Sequence, residues 1–474
     1  MNFKCVKKFD GKFEKYVLIS TNIDATIPNH FSEVVKATLT QLIKKEDFSS
    51  EKCKKIEMNT LDGDKVINVT FLYLGNPAKL NAKNIRENLY TGLKGITGEV
   101  MIIPLDEKSD NVDAIAEIIE HINYKFDKYL SEKKKEFLKV HYLTNKKLPK
   151  LIEGYELGKI SNIVKDMINE PAEFMTPHML AKTAEKLGKD YGFEVEILDE
   201  KMAAKLGMHS YLSVARAAHH RPYVIVMRYF GNPESEYKYG LVGKGLTYDT
   251  GGLSLKPTTG MVGMKEDMGG AATMIGAMCS IAKMQLKKNV TCIVAACENS
   301  IGPNAYRPGD IVNTMNGKTV EVTNTDAEGR LTLIDALTYI IRKEKVDEVI
   351  DAATLTGAIL VALGEDVTGV FSNDNEAAKK LIAASDNWNE YFWQMPMFDG
   401  FKRYLKSDIA DMQNTGSRFG GSVNAAKFLE EFVEGKKWIH LDIAGTVFAN
   451  GGNPYYEKGP TGQVFKTIYS YIKA

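Results

Sequence analysis

Two spacings of apolar residues alternate along the chain. In short runs, apolar side chains come at every second position or continuously, and glycine, proline or charge bounds them. In longer runs they recur every three or four residues. The first pattern predicts strands and the second predicts helices. Over the first 150 residues, strands are expected at 16–20, 66–74 and 99–104, and helices at 31–44, 80–93 and 112–129. That alternation describes a self-contained α/β domain. Residues 151–168 read as a linker with a connecting helix at 160–168. From Asn169-Glu170-Pro171 the alternation resumes, with a helix at 177–191 and strands at 193–198, 223–229, 239–242, 290–296 and 438–443. Such β-rich runs separated by helices point to a largely parallel or mixed sheet covered on both faces. The expected fold is therefore α/β in two domains. A smaller one spans 1–150, and a larger one with a mixed sheet flanked by helices spans 169–474.

Composition narrows the function classes. A chain of 474 residues suggests two or three domains with ample core. Lysine plus arginine and aspartate plus glutamate balance at 61 each, which removes the global electrostatic case for nucleic acid or an anionic membrane. The lysines at 133–135 and 146–147 read as a solvated helix end and linker. Five scattered cysteines with no Cys-x-x-Cys indicate neither a disulfide framework nor a zinc ribbon. Cys292 and Cys297, in an apolar run, read as small buried residues. The N-terminus is broken by charge every few residues and has no apolar signal core. The most apolar late stretch, 349–364, carries Asp351 and two glycines and is too short to span a bilayer. A cytoplasmic enzyme fits this profile.

Candidate chemistry concentrates in the second domain. In Asn324-Thr325-Asp326-Ala327-Glu328-Gly329-Arg330-Leu331, side chains at i and i+2 of an extended segment project to one side. Asp326 and Glu328 can thus converge, and two converging acids repel unless one is protonated or a cation lies between them. Arg330 suits a separate anion, held by its planar fork. Upstream, Gly243-Lys244-Gly245 leads to Asp249-Thr250-Gly251-Gly252, with Asp249 expected in a glycine-rich turn at a strand end. The glycine and lysine spacing fits neither a phosphate loop nor a dinucleotide fingerprint. Asp267 stands in the first turn of a helix opened by Met264-Lys265-Glu266-Asp267-Met268-Gly269-Gly270, a place where a plain dipole partner is the simpler reading. Together, however, Asp249, Asp267, Asp326 and Glu328 supply four carboxylates. One site holding all four calls for about two divalent ions, and oxygen-rich ligation suits Mg or Mn, with Zn admissible.

These motifs resemble the signature of the leucyl aminopeptidase family, the cytosolic dinuclear-metal aminopeptidases. The 324–331 octapeptide carries the resemblance most strongly. The segments around Lys244 to Pro257, Met264 to Ala272, Asn304 to Asp310, Thr354 to Ala358 and His440 to Thr446 match it too. It covers 165–474 strongly, and the first domain only in length and α/β character. The resemblance implies two adjacent divalent ions, Mn or Zn with Mg or Co possible. Asp249 and Glu328 would contact both, Asp326 one, and Asp267 with the amine of Lys244 the other. It implies that the ions activate a water and polarise the scissile carbonyl. Lys256 would stabilise charge on the carbonyl oxygen, and Arg330 would hold a bicarbonate that relays the proton. Met264, Thr354, Leu355 and Gly357 would join Lys256 in binding a peptide with a free N-terminus and an apolar first residue such as leucine or methionine. A homohexamer is also implied.

Other residues fit around this reading. None of the eight histidines lies among the proposed ligands and no His-Glu-x-x-His occurs, so surface or packing roles are expected of them. His219 and His220 are adjacent, so their side chains are expected to diverge. The methionines around 261–278 also serve as adaptable core filler. Ser422 and Asn424 depart from the alanine and threonine usual in the family, at positions that are not metal ligands. Two alternatives stand beside the aminopeptidase. One is a cysteinyl-glycine-type dipeptidase, and the other is a DNA-binding or architectural role, which the zero net charge disfavours.

Overall fold

The computed structural model describes residues 2–9, 11–46, 48, 53–133, 136–144 and 148–474. Lys134, Lys135, Lys146 and Lys147 lie outside them. Contacts divide the chain into two units, Met1–Asn162 with Asp386–Asn389, and Ile163–Ser385 with Glu390–Ala474. The division falls inside one helix, Leu148–Asn169, which is longer than the connecting helix expected at 160–168.

In the first unit the strands are β1 (Phe3–Val6), β2 (Lys15–Ser20), β3 (Lys54–Asp62), β4 (Lys65–Tyr73), β5 (Gly98–Pro104) and β6 (Leu138–Leu143). They order β1-β6-β5-β2-β4-β3, parallel except for β3. The helix Glu33–Lys45 shows why its stretch is helical. Ser32 caps it by accepting from the Val35 N–H, Glu33 sits at the positive end, Lys44 and Lys45 sit at the negative end, and Val35, Leu39 and Ile43 are buried. The helix expected at 112–129 stops at Asn123. The side chain of Asn123 donates to the Leu138 carbonyl and accepts from the Leu138 N–H, tying the chain to β6 and turning Tyr124 extended.

The second unit contributes β7 (Glu194–Leu198), β8 (Tyr223–Phe230), β9 (Lys238–Asp249), β10 (Asn289–Asn299), β11 (Ile311–Asn313), β12 (Thr319–Glu321), β13 (Glu348–Ala353), β14 (Val367–Ser372), β15 (Tyr391–Gln394), β16 (Met412–Gln413) and β17 (Lys437–Asp442). Eight of them form one sheet in the order β15-β14-β17-β13-β9-β10-β8-β7, mixed in sense and parallel at its centre. All eleven residues of β10 are buried, as a strand covered on both faces requires. The helix Gly269–Lys283 lies against the sheet at backbone distance because small residues face each other there. A Cβ on Gly243 would stand 2.8 Å from the Ala271 Cα, and one on Gly270 would stand 2.1 Å from the Ala352 carbonyl oxygen. The second clash is with backbone, which has little room to yield. Gly270→Ala is therefore expected to destabilise the protein by about 3 kcal/mol or more, the upper end of overpacking costs. A urea transition compared with that of the parent checks this.

Candidate metal centre

Lys244 and Asp249 lie on the same strand, five residues apart. An odd separation would send their side chains to opposite faces of a regular strand. Between them β9 carries an irregularity: Leu246 pairs with Cys297 and Tyr248 with Glu298, leaving Thr247 as an extra residue. One inserted residue reverses the alternation, so both side chains turn to the same site. The sequence reading put the glycines after Val242 in a turn. Gly243 and Gly245 are strand residues, Asp249 is the last residue of β9, and the turn follows it at Gly251 and Gly252, both with positive φ. Gly243 is required there by the helix packed across it.

Four carboxylates and two ammonium groups meet at this end of β9. Lys244 Nζ lies 2.7 Å from Asp267 Oδ1 and 3.0 Å from Glu328 Oε1, and donates to the Thr354 carbonyl at 2.8 Å. Lys256 Nζ lies 2.9 Å from Asp249 Oδ2 and 2.5 Å from Asp326 Oδ1. One oxygen from each of Asp249, Asp326 and Glu328 falls within 4.8 Å of the others. Asp267 comes from the 3₁₀ turn Met264–Met268 leading into the Gly269–Lys283 helix, and Glu328 opens the helix Glu328–Arg342. Gly329 is needed beside Glu328, since a Cβ there would stand 2.5 Å from Lys244 Cε.

The charges do not balance. Asp249, Asp267, Asp326 and Glu328 against Lys244 and Lys256 leave a formal −4 + 2 = −2 in a region where three of the acids and Lys244 are buried. Asp267 Oδ2 and Glu328 Oε2 are buried with no hydrogen-bond partner. Burial raises the Asp267 carboxyl well above its usual range, Lys244 offsets part of that, and Glu328 and Asp249 add to it. Burial also raises Asp326, against the pull of Lys256. For Lys244, burial alone would favour the neutral amine, but Asp267, Glu328 and Asp249 together hold the ammonium above its ordinary range. A dense set of oxygen donors with surplus negative charge and unpartnered buried oxygens fits hard divalent cations. The donor set passes that test.

Around the acids runs a framework that sequence reading missed. Asn299, the last residue of β10, donates to Asp249 Oδ1 at 2.8 Å and to the Thr325 carbonyl at 3.0 Å. Tyr306 donates to the same carbonyl at 2.8 Å, and Thr325 Oγ1 donates to the Gly251 carbonyl at 2.7 Å. Asn414 follows β16, whose pairing with β12 brings it beside the 323–327 segment. It accepts from Thr323 N–H and donates to the Asn324 carbonyl. Asn299 ends an apolar strand and Asn414 lies ninety residues from the motif it holds, so no local pattern marks either.

The remaining predicted residues fall nearby. Thr354 donates to Asp267 Oδ1 at 2.7 Å. The Leu355 N–H donates to Asp442, and Gly357 is exposed at the start of the Gly357–Leu363 helix. Met264 is half-buried at the head of the turn that carries Asp267. Arg330 is buried, donates to the Asn414 carbonyl at 2.7 Å and has a partnerless buried Nε; burial pushes its guanidinium down to about 10. The histidines stay out of the acidic cluster. His440 is buried against Asp351 at 2.5 Å, and His220 pairs with Glu298 at 2.8 Å. The rings of His219 and His220 do not diverge but meet edge to face, with centroids 5.2 Å apart. Cys292 and Cys297 are buried.

Comparison with known proteins decides what this centre belongs to. Residues 162–469 match the model of the cytosol aminopeptidase family catalytic domain, and residues 13–133 match that of its N-terminal domain. The chain belongs to the cytosol aminopeptidase family. A probable cytosol aminopeptidase of Fusobacterium nucleatum is 67% identical over 474 residues, covering 100% of this chain and 99% of the relative. One of Clostridium perfringens is 42% identical over 461 residues, covering 94% and 93%. Among solved structures, the bottromycin maturation enzyme BotP in complex with Mn superposes with a TM-score of 0.86 at 28% identity, covering 97% of this chain and 99% of that one. As a cytosol aminopeptidase family member the protein is a metal-dependent peptidase, a hydrolase acting on peptides, and the acidic cluster is where its chain can hold metal. No helix among the described residues is long and apolar enough to cross a membrane.

Proposed function

We propose that the protein removes the N-terminal residue, preferably an apolar one, from peptides, using two divalent ions held by Lys244, Asp249, Asp267, Asp326 and Glu328. The observation that carries this is the uncompensated charge of four converging carboxylates with two buried oxygens left unpartnered. Asp249 and Glu328 would serve both ions, Asp326 one, and Asp267 with Lys244 the other. The manganese of the BotP structure supports Mn, and the oxygen-rich donor set accepts Zn, Mg or Co as well.

When bound, the ions supply an activated water and polarise the scissile carbonyl. Lys244 would serve as a ligand only as the neutral amine, so it would give up the proton that Asp267, Glu328 and Asp249 hold on it. Lys256, drawn to Asp249 and Asp326 without metal, turns to the developing charge on the carbonyl oxygen. Arg330, with its unpartnered Nε, would hold a bicarbonate, and that anion would supply a proton relay. Thr354, Leu355 and Gly357, with Met264, line the place of the first side chain. The working form is a homohexamer in the cytoplasm.

Calorimetric titration of chelated protein in two buffers of different ionisation heat tests the assignment. Two ions per chain with release of at least one proton are expected. Because the folded chain holds the Lys244 ammonium above its ordinary range, loading competes with that proton, and affinity rises with pH. One ion per chain, or no proton released, would contradict the ligand set.

A further inference from the structure

Outside the acidic centre, three guanidinium groups from separate segments face one polar cleft of about 520 Å³. Arg216 closes the helix His209–Ala215, Arg221 stands just before β8, and Arg307 lies in the 304–310 loop. The cleft is built rather than accidental. Asp310 accepts from Arg216 at 3.1 Å and from Arg307 Nε at 3.2 Å, so one carboxylate sets both guanidinia on the same wall. Among the described residues Arg221 reaches only Glu200, at 3.1 Å. His220 completes the lining, its Nδ1 spent on Glu298.

A donor inventory shows what is left over. Each guanidinium has five N–H groups. Among the described residues Arg307 uses Nε and one terminal nitrogen on Asp310, Arg216 uses one terminal nitrogen on Asp310 and the Ala305 carbonyl, and Arg221 uses one on Glu200. Asp310 and Glu200 take up only part of these donors, and several remain unused. Side-chain exposures of 44, 76 and 69% for Arg216, Arg221 and Arg307 leave those donors reachable from solvent. Planar forks from three separate segments along one cleft suit the several oxygens of a phosphate.

We infer that this cleft binds a phosphate-bearing small molecule through Arg216, Arg221 and Arg307. Its walls adjoin in sequence the residues that hold the acidic centre. Glu298, the partner of His220, precedes Asn299, which holds Asp249, and Arg307 follows Tyr306, which holds the Thr325 carbonyl. A phosphate seated there bridges those two segments without touching the acids.

Titration of the metal-loaded protein with inorganic phosphate, and separately with adenosine monophosphate, at constant ionic strength tests this. Saturable binding is expected, weakened about tenfold or more in Arg221→Gln and in Arg307→Gln, as loss of one charge-assisted contact implies. It should be unchanged in Arg330→Gln, which reports phosphate lodged at the acidic centre instead. Tighter binding of the nucleotide identifies a nucleotide source, and binding of phosphate alone identifies the free ion. Arg221 is exposed and bonded only to Glu200, so its variant folds, which an unchanged melting temperature verifies. No saturable binding, binding lost in Arg330→Gln but kept in Arg221→Gln, or uptake of an acidic dipeptide in place of phosphate would overturn the inference.

Discussion

A Glu328→Gln chain loaded with the same metal as its parent is expected to hydrolyse leucine p-nitroanilide with a kcat lower by about a thousandfold. The change is nearly isosteric, so the effect comes from charge. Glu328 Oε1 lies 3.0 Å from Lys244 Nζ, and Oε2 is buried without a partner, which leaves it for a cation. The carboxamide removes one negative charge and replaces one acceptor with a donor facing an ammonium group. Metal assistance contributes several kcal/mol to such reactions, and each 1.36 kcal/mol is a factor of ten. Metal content measured beside kcat should fall with it, since a carboxamide is a weaker ligand for a hard cation than a carboxylate. The metal-free variant should melt at or above the parent, because one of four mutually repelling carboxylates has gone. A variant that kept both its metal and its kcat would remove Glu328 from the site.

Lys256→Met carries the second large effect. Its ammonium touches Asp249 and Asp326 but not Asp267, so it is the cation nearer the open side of the cluster, with 16% of its side chain exposed. Burial opposes its charge, while Asp249, Asp326 and Glu328 hold it above the ordinary lysine range, so it stays charged through neutral pH. A permanently charged donor beside a developing oxyanion contributes about 10²–10³ in kcat, and that loss is expected with KM little changed. Methionine keeps the length and apolar stem. The metal-free variant leaves Asp249 and Asp326 without their cation, so added metal should raise its Tm more than it raises the parent's. A large rise in KM at constant kcat would instead make Lys256 a ground-state contact.

The acids were legible in the sequence because each stands beside glycines in a short motif, and the residues that aim them were not. Lys244 and Asp249 read as neighbours in a glycine turn. They converge because of the extra residue at Thr247, and nothing in the local pattern marks a strand irregularity. Asn299, Tyr306 and Asn414 fix the metal-side loops through backbone carbonyls, contacts that leave no trace of spacing. The helix Pro177–Tyr191 emerged at the predicted bounds, since Thr176 caps it and Gly192 ends it in the left-handed conformation. In contrast, β3 escaped notice because charged residues alternate with Ile56 and Met58 along an edge strand, and only Gly63, at φ +63°, signals the hairpin to β4. The Asn424 departure has a local consequence: its side chain donates to the Ser417 and Phe419 carbonyls and so fixes the loop before the Gly421–Glu430 helix.

Metal held by Lys244, Asp249, Asp267, Asp326 and Glu328 is expected to cleave only peptides with a free amine. This is tested most directly by stripping the protein with chelator and adding back Mn, Zn, Mg or Co singly while following hydrolysis of leucine p-nitroanilide and its N-acetylated form. No activity is expected after chelation, recovery with Mn or Zn, and none at any metal on the acetylated substrate. Hydrolysis that survives chelation, or that proceeds on the acetylated substrate, would contradict it.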